Sequence, residues 1–310
     1  MGAIAESRKR PAGHSFRCPV PGVRLLDRLA TLPRILALIL CTACASGGTR
    51  DVPATSHAPS PPGPIRAPLS YVATRRTGPI AIDGRLNDAA WARAPWTEMF
   101  TDIEGPIRLA PRFATRVKML WDDDYWYIAA ELEEPDLWAT IRQRDAVIFR
   151  DNDFELFVDP SGTAHRYFEV EMNQFGTVWD LFLPKPYREG GHAVNEWDIV
   201  GLRIAVGLQG TINDPRDRDR GWTVELAIPW AAFADSGRNV VPPHVGDQWR
   251  VNFSRVEWDV DTLHGAYVKR QDAVGKPLPE HNWVWSPQGV VNMHVPEMWG
   301  FVRFGGAGRT

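Results

Sequence analysis

The sequence predicts an all-β fold: an antiparallel β-sandwich, jelly-roll-like, with long decorated loops and a few short helices. Three observations predict it. Residues 117–159 read VKMLWDDDYWYIAAELEEPDLWATIRQRDAVIFRDNDFELFVD. Two runs rich in β-branched and aromatic residues are split there by Asp122-Asp123-Asp124. Asp is poor in strands and good in turns, so the pattern is a hairpin followed by a third strand. Phe168–Met172 and Trp222–Leu226 alternate apolar with polar residues, as half-buried strands do. No stretch carries a long amphipathic helical period.

Taken in chain order, Ile80–Ile82 is the first predicted strand. Asn87 is placed to cap a short helix over Asp88–Ala94, which Pro95 ends. Val117–Trp121, Tyr125–Glu133 and Phe154–Val158 follow, the last stopped by the turn Asp159-Pro160-Ser161-Gly162. Further strands are predicted over Tyr167–Asn173, Thr177–Leu183, Leu202–Leu208, Thr223–Ile228, Gln248–Glu257 and Phe301–Phe304. Pro229–Phe233 reads as a short helical turn. Pro184–Asn195 and Asp259–Asn282 read as long rim loops, where sandwiches often place binding residues.

Composition narrows the function. The 310 residues have a net charge of −3. Residues 1–44 hold seven of the basic and two of the acidic residues, so the remainder carries 28 basic against 36 acidic residues, a net of −8. An acidic body argues against nucleic acid as a partner and suits neutral sugars or cations. Cys18, Cys41 and Cys44 all lie near the start, so neither disulfides nor thiolate metal sites hold the body. All fourteen tryptophans lie at or after Trp91.

Leu25–Leu40, flanked by Arg24 and broken by Arg28 and Arg34, reads as the charged and apolar regions of an export signal, too short to span a membrane. Small residues precede Cys44 in a segment that resembles a bacterial lipobox, with Cys41 where Leu is usual. The expectation is a leader over residues 1–44, lipidation of Cys44, a Pro/Ser/Gly-rich tether over 45–70 and one domain over 71–305. The protein would then be exported and membrane-anchored by lipid, periplasmic or at the cell surface.

Five blocks carry a wider resemblance: Ile82–Trp91 (IDGRLNDAAW), LWDDDYWYIAAEL, DNDFELFVDP, Gly221–Trp230 (GWTVELAIPW) and Trp299–Val302 (WGFV). In that order they resemble the family 9 carbohydrate-binding module and its bacterial relatives over roughly residues 79–304. The resemblance implies non-catalytic binding of an oligo- or polysaccharide held between two aromatic rings. Phe149 falls at the first ring, where the best-known members carry Trp, and Trp285 at the second, with Trp283 on the same face. Glu155 matches a sugar-contacting carboxylate, and Glu169 stands where an arginine is expected. Asn252 and Arg255 complete the candidate hydroxyl-binding set.

Other chemistries compete with this one. Calcium suits clustered hard oxygen ligands and occurs in the family, which makes Asp151 and Asp153 the candidate metal residues, with Asp122–Asp124 and Asp214, Asp217 and Asp219 as further clusters. Glycoside hydrolysis needs two carboxylates flanking a bond; Glu155, Glu169, Glu171, Glu225 and Glu257 are available, but no motif marks an acid and a nucleophile. Met172, Met293, His294 and Met298 are the nearest haem-type candidates, without an attachment motif. A scaffold lipoprotein presenting exposed tryptophans to a protein partner is the remaining alternative.

Overall fold

The computed structural model describes residues 67–237 and 241–307. The leader, Cys44 and the tether up to residue 66 lie outside the described residues.

The strands are β1 (Ser70–Arg75), β2 (Thr101–Asp102), β3 (Thr115–Trp121), β4 (Tyr125–Glu133), β5 (Asp153–Asp159), β6 (Tyr167–Asn173), β7 (Val178–Leu183), β8 (Arg203–Leu208), β9 (Gly221–Pro229), β10 (Gln248–Glu257), β11 (Val260–Leu263), β12 (Ala266–Lys269), β13 (His281–Val284) and β14 (Gly300–Ala307). One short helix, α1 (Ala89–Arg93), precedes β2. Twelve strands form one sheet in the order β7-β6-β5-β10-β14-β1-β3-β4-β9-β8, with β13 and β2 branching from β10. The sheet curls so that its two halves face each other, giving a β-sandwich-like fold. Phe154, Phe168, Val170 and Phe253 from one half and Trp126, Ile128, Trp222 and Leu226 from the other belong to one buried core.

Alternation explains the layers. In β4, Trp126, Ile128, Ala130 and Leu132 enter the central core, whereas Tyr127 and Ala129 face outward against α1. Trp91 of α1 is fully buried there, and its Nε1 donates to Glu225 Oε1 at 2.8 Å. Glu225 Oε2 accepts from the Asp83 and Gly84 amides at 3.0 and 2.8 Å. Thr223 Oγ1 donates to the Gly84 carbonyl at 2.6 Å. Gly84 has φ +80°, and a Cβ there would meet the Gly207 nitrogen at 2.6 Å. The first and fourth sequence blocks are therefore two halves of one joint, and Glu225 is committed to structure rather than to hydrolysis.

Most predicted strands appear within one or two residues of their expected ends. Four features differ. Ile80–Ile82 is not a strand; it runs as irregular chain whose Ala81 amide donates to Asp88 Oδ2. Asp88, not Asn87, is the N-cap residue of α1, and its side chain serves that loop instead of the helix. β1 begins at Ser70 and pairs parallel with both β14 and β3, so the sheet is not wholly antiparallel. The loop expected over Asp259–Asn282 contains the β11–β12 hairpin, turned by His264 and Gly265, both at positive φ.

Candidate functional site

The half of the sheet away from α1 has its own outer face, and a pocket lies on it. Residues directly opposite in an antiparallel pair point to the same side. Glu155 on β5 is opposite Glu171 on β6 and Ser254 on β10. Trp179 on β7 is opposite Glu171, and Val284 on β13 is opposite Ser254. A row of Trp179, Glu171, Glu155, Ser254 and Val284 therefore crosses five strands. Glu169 and Phe157 form the next opposed pair. A smaller apolar cluster that includes Phe157, Leu181, Tyr167 and Trp299 supports this floor.

Loops raise the walls. Phe149 comes from the short 3-10 turn Ile148–Arg150, Tyr187 from the turn Tyr187–Glu189, and Asn292, Met293 and His294 from the segment after β13. With Glu280 and Asn282 they enclose about 510 Å³, within the range of small-molecule sites. The Phe149 amide donates to Glu171 Oε2 at 3.0 Å and its carbonyl accepts from Trp258 Nε1 at 2.9 Å. That fixes the backbone while leaving the residue 38% exposed at the rim. The Tyr187 and His294 rings meet edge to face with centroids 4.5 Å apart. The Tyr167 hydroxyl sits 2.9 Å from His294 Nδ1. Burial lowers the His294 pKa to about 4, so the imidazole is neutral at physiological pH.

The floor is strongly acidic. Burial pushes the Glu155 carboxyl up to about 7, with the neighbouring Ser254 opposing the shift and Glu280 adding to it. Burial and then Glu155 hold Asp153, Glu169 and Glu171 well above the ordinary carboxylate range. Asp153 Oδ2, Glu155 Oε2, Glu169 Oε2 and Ser254 Oγ have no hydrogen-bond partner. Glu155 and Glu171 are neighbours on one floor.

The structure brings Phe149, Glu155 and Glu169 together at this pocket. It places the other predicted residues elsewhere. Trp285 is fully buried on the inner face, 6.1 Å from the Phe253 ring, with its Nε1 on Glu98. It is a core residue, not the ring facing Phe149, because the register puts the face it shares with Phe253 inward. A Cβ on Gly300 would meet Trp285 at 2.5 Å, which accounts for the closing Trp-Gly block. Trp283 is also buried inside, stacked on His281 and edge-on to Phe113. Asn252 is consumed by backbone: its Nδ2 donates to the Ser286 carbonyl, and its Oδ1 accepts from the Phe253 and Ser286 amides.

Arg255 is buried on the inner face, where its Nη2 reaches Glu134 and Glu257 at 2.8 Å each. Asp151 accepts from Thr140, Ile141 and Asn173, so its oxygens are occupied. Asp122 pairs with Arg76, Asp214 with Arg216, and Asp219 accepts the Leu137 and Thr211 amides. Asp153 alone of the predicted metal residues keeps a buried unpartnered oxygen. Met172 lies in the central core and His294 at the outer pocket, on opposite sides of the sheet.

Tyr187 and Asn282 fall within the rim loops expected over Pro184–Asn195 and Asp259–Asn282, whereas Trp179 and Asn292 went unmarked. Trp179 follows from register, opposite Glu171; Asn292 arrives on a loop with no periodic signal.

A family model described as "Carbohydrate family 9 binding domain-like" matches residues 82–261. The chain belongs to this family. Endo-1,4-beta-xylanase A of Thermoanaerobacterium saccharolyticum is 23% identical over 173 residues, which is 56% of this chain and only 13% of that enzyme. The crystal structure of a proposed carbohydrate-binding protein from Bacteroides uniformis superposes over 77% of this chain and 100% of its own, with a TM-score of 0.53 and 18% identity. A family 9 module from Caldicellulosiruptor kristjanssonii, solved with cellotriose, covers 78% of this family 9-like chain and 95% of its own at a TM-score of 0.49 and 15% identity.

Proposed function

We propose that this family 9-like chain is a non-catalytic carbohydrate-binding protein and that the outer-face pocket is its sugar site. One observation carries the reading: a cavity of about 510 Å³ combines the aromatic residues Phe149, Trp179 and Tyr187 with the polar Glu155, Asn282 and Asn292. Sugar rings stack on aromatic faces through their C–H surfaces, and amides and carboxyls match their hydroxyls. An unmatched buried polar group costs about 1–3 kcal/mol, so such a lining selects among hydroxyl patterns. Membership of a family described by carbohydrate binding supports the assignment.

The test is a panel of soluble oligosaccharides and insoluble polysaccharides, followed by tryptophan fluorescence, calorimetry and pull-down. Phe149→Ala and Trp179→Ala should each weaken binding at least tenfold with the melting curve nearly unchanged. Trp285→Ala should do the reverse, costing about 3–5 kcal/mol of stability as a core cavity. Silence across the whole panel, or binding that survives both pocket substitutions, would remove the sugar site.

Export and anchoring through a lipidated Cys44 belong to the same proposal, resting on the leader and lipobox-like sequence. Palmitate labelling in the native host, lost in Cys44→Ser, is the measurement.

A further inference from the structure

We propose that Asp153, Glu155 and Glu171 hold a calcium ion at the floor of the pocket, with Ser254 and Glu169 beside it. The site spans three adjacent strands. Glu171, Glu155 and Ser254 are successive register partners across β6, β5 and β10, and Asp153 lies two residues from Glu155 on the same face of β5.

Geometry is the first support. One oxygen from each of Asp153, Glu155 and Glu171 lies within 4.8 Å of the others. Two ligands bound to one calcium at about 2.4 Å stand at most about 4.8 Å apart, on opposite sides of the ion.

The second support is independent of clustering. Asp153 is fully buried and Glu155 and Glu169 are 4% exposed, yet each has an oxygen without a partner. Among the described residues, no ion pair involves Asp153, Glu155, Glu169 or Glu171. Buried carboxylate oxygens left without a donor, in a group without a counter-charge among the described residues, are what a hard cation satisfies.

A second acidic trio sharpens the assignment. Asp145, Asp180 and Asp198 are also close together, but Arg144 pairs with all three. That cluster already has its cation. The pocket trio has none among the described residues.

Glu155 and Glu171 line the cavity, so coordination positions left open on that side would be reached by water or by vicinal hydroxyls of a ligand. This extension rests on the carbohydrate reading; the ion site does not.

The experiment titrates calcium chloride into the EDTA-stripped full chain by calorimetry, with terbium as a luminescent substitute sensitised by tryptophan. One saturable site is expected, with magnesium at least tenfold weaker. Glu155→Gln and Glu171→Gln should each weaken calcium binding by a hundredfold or more. Their metal-free melting temperatures should be equal to or above that of the parent, which separates loss of a ligand from loss of fold. Asp198→Asn should leave the affinity unchanged. No saturable calcium or terbium binding by the parent chain would overturn the site, as would retained affinity in both glutamine variants or loss of affinity in Asp198→Asn. A glycan titration with and without calcium completes it. Calcium binding without any glycan binding would sink only the sugar reading, and glycan binding without calcium binding only the ion site.

Discussion

Adjacent residues of one strand belong to two differently built acid clusters. Arg255 of β10 points inward, where Glu134 and Glu257 share its guanidinium and the Glu133 carbonyl accepts a further bond at 2.7 Å. Ser254, its neighbour, points outward to Glu155, in a group of four carboxylates that none of the described ion pairs includes. Both clusters are buried and both contain glutamates from neighbouring segments. The inner one brings its cation with it and serves as a fastener. The outer one leaves neutralisation to whatever enters the pocket. Burial of carboxylates therefore does not by itself separate structure from function; the source of the counter-charge does.

The largest expected effect breaks the inner cluster. Arg255→Leu strands Glu134 and Glu257 without a partner and should cost about 3–5 kcal/mol in urea unfolding. A loss below about 1 kcal/mol would mean that the two clusters do not differ in kind.

The outer cluster should respond with the opposite sign. Glu155→Gln removes one of several buried like charges. In EDTA at about pH 8 it should stabilise the protein by about 1–3 kcal/mol, given that one unit of pKa shift is worth about 1.4 kcal/mol. Added calcium should stabilise the parent and not the variant.

The pH dependence follows from the same shift. The folded Glu155 pKa, about 7, lies above its ordinary value of 4.5. Between those values the folded state binds more protons than the unfolded one, so stability falls as pH rises through that window. Asp153, Glu169 and Glu171 are raised as well and act in the same direction, while His294, lowered to about 4, opposes them below about pH 6.5, where the unfolded imidazole binds a proton that the folded one does not; the four raised carboxyls outweigh that one group. The metal-free protein should therefore melt higher at about pH 5 than at about pH 8, and saturating calcium should flatten that slope. A slope of opposite sign in thermal melts would contradict the acidic floor.

Phe149→Ala marks the smallest stability effect. A rim residue with 38% exposure should change stability by no more than about 0.5 kcal/mol. Its loss should nevertheless weaken sugar binding at least tenfold, about 1.4 kcal/mol.

These contrasts also show how far the sequence could be read. Strict alternation placed Phe154 and Glu155 on opposite faces, and the structure has one in the central core and the other in the pocket. The same rule put Trp283 and Trp285 on one face without saying which face is inside. That depends on their register with Arg255 and Phe253, a contact between distant segments. The inward face won, and the tryptophans expected to grip a sugar became core. Tyr187 and His294 meet across loops with no periodic pattern to announce them. β1 went unread because it is short and lies between Pro68 and the Arg75-Arg76 pair, and its partners are far away in the chain. The β11–β12 hairpin had a local signal, the His264-Gly265 turn between two short apolar runs, which is weaker than Asn-Gly or Asp-Gly.

The parallel pairing of β1 with β14 reaches beyond architecture to the order of events in folding. These two strands are adjacent in the middle of the sheet order, with the pocket half on the side of β14 and the α1 half on the side of β1. Ser70 pairs with Phe301, so this seam joins the earliest described strand to the latest. Loop closure over such a separation is slow, and contacts of this kind lower folding rates. A growing chain can assemble hairpins such as β3–β4 and β5–β6 early. The seam between the two halves of the sheet can form only once β14 is available, so the pocket face and the helix-covered face are joined along the sheet by its most non-local contact.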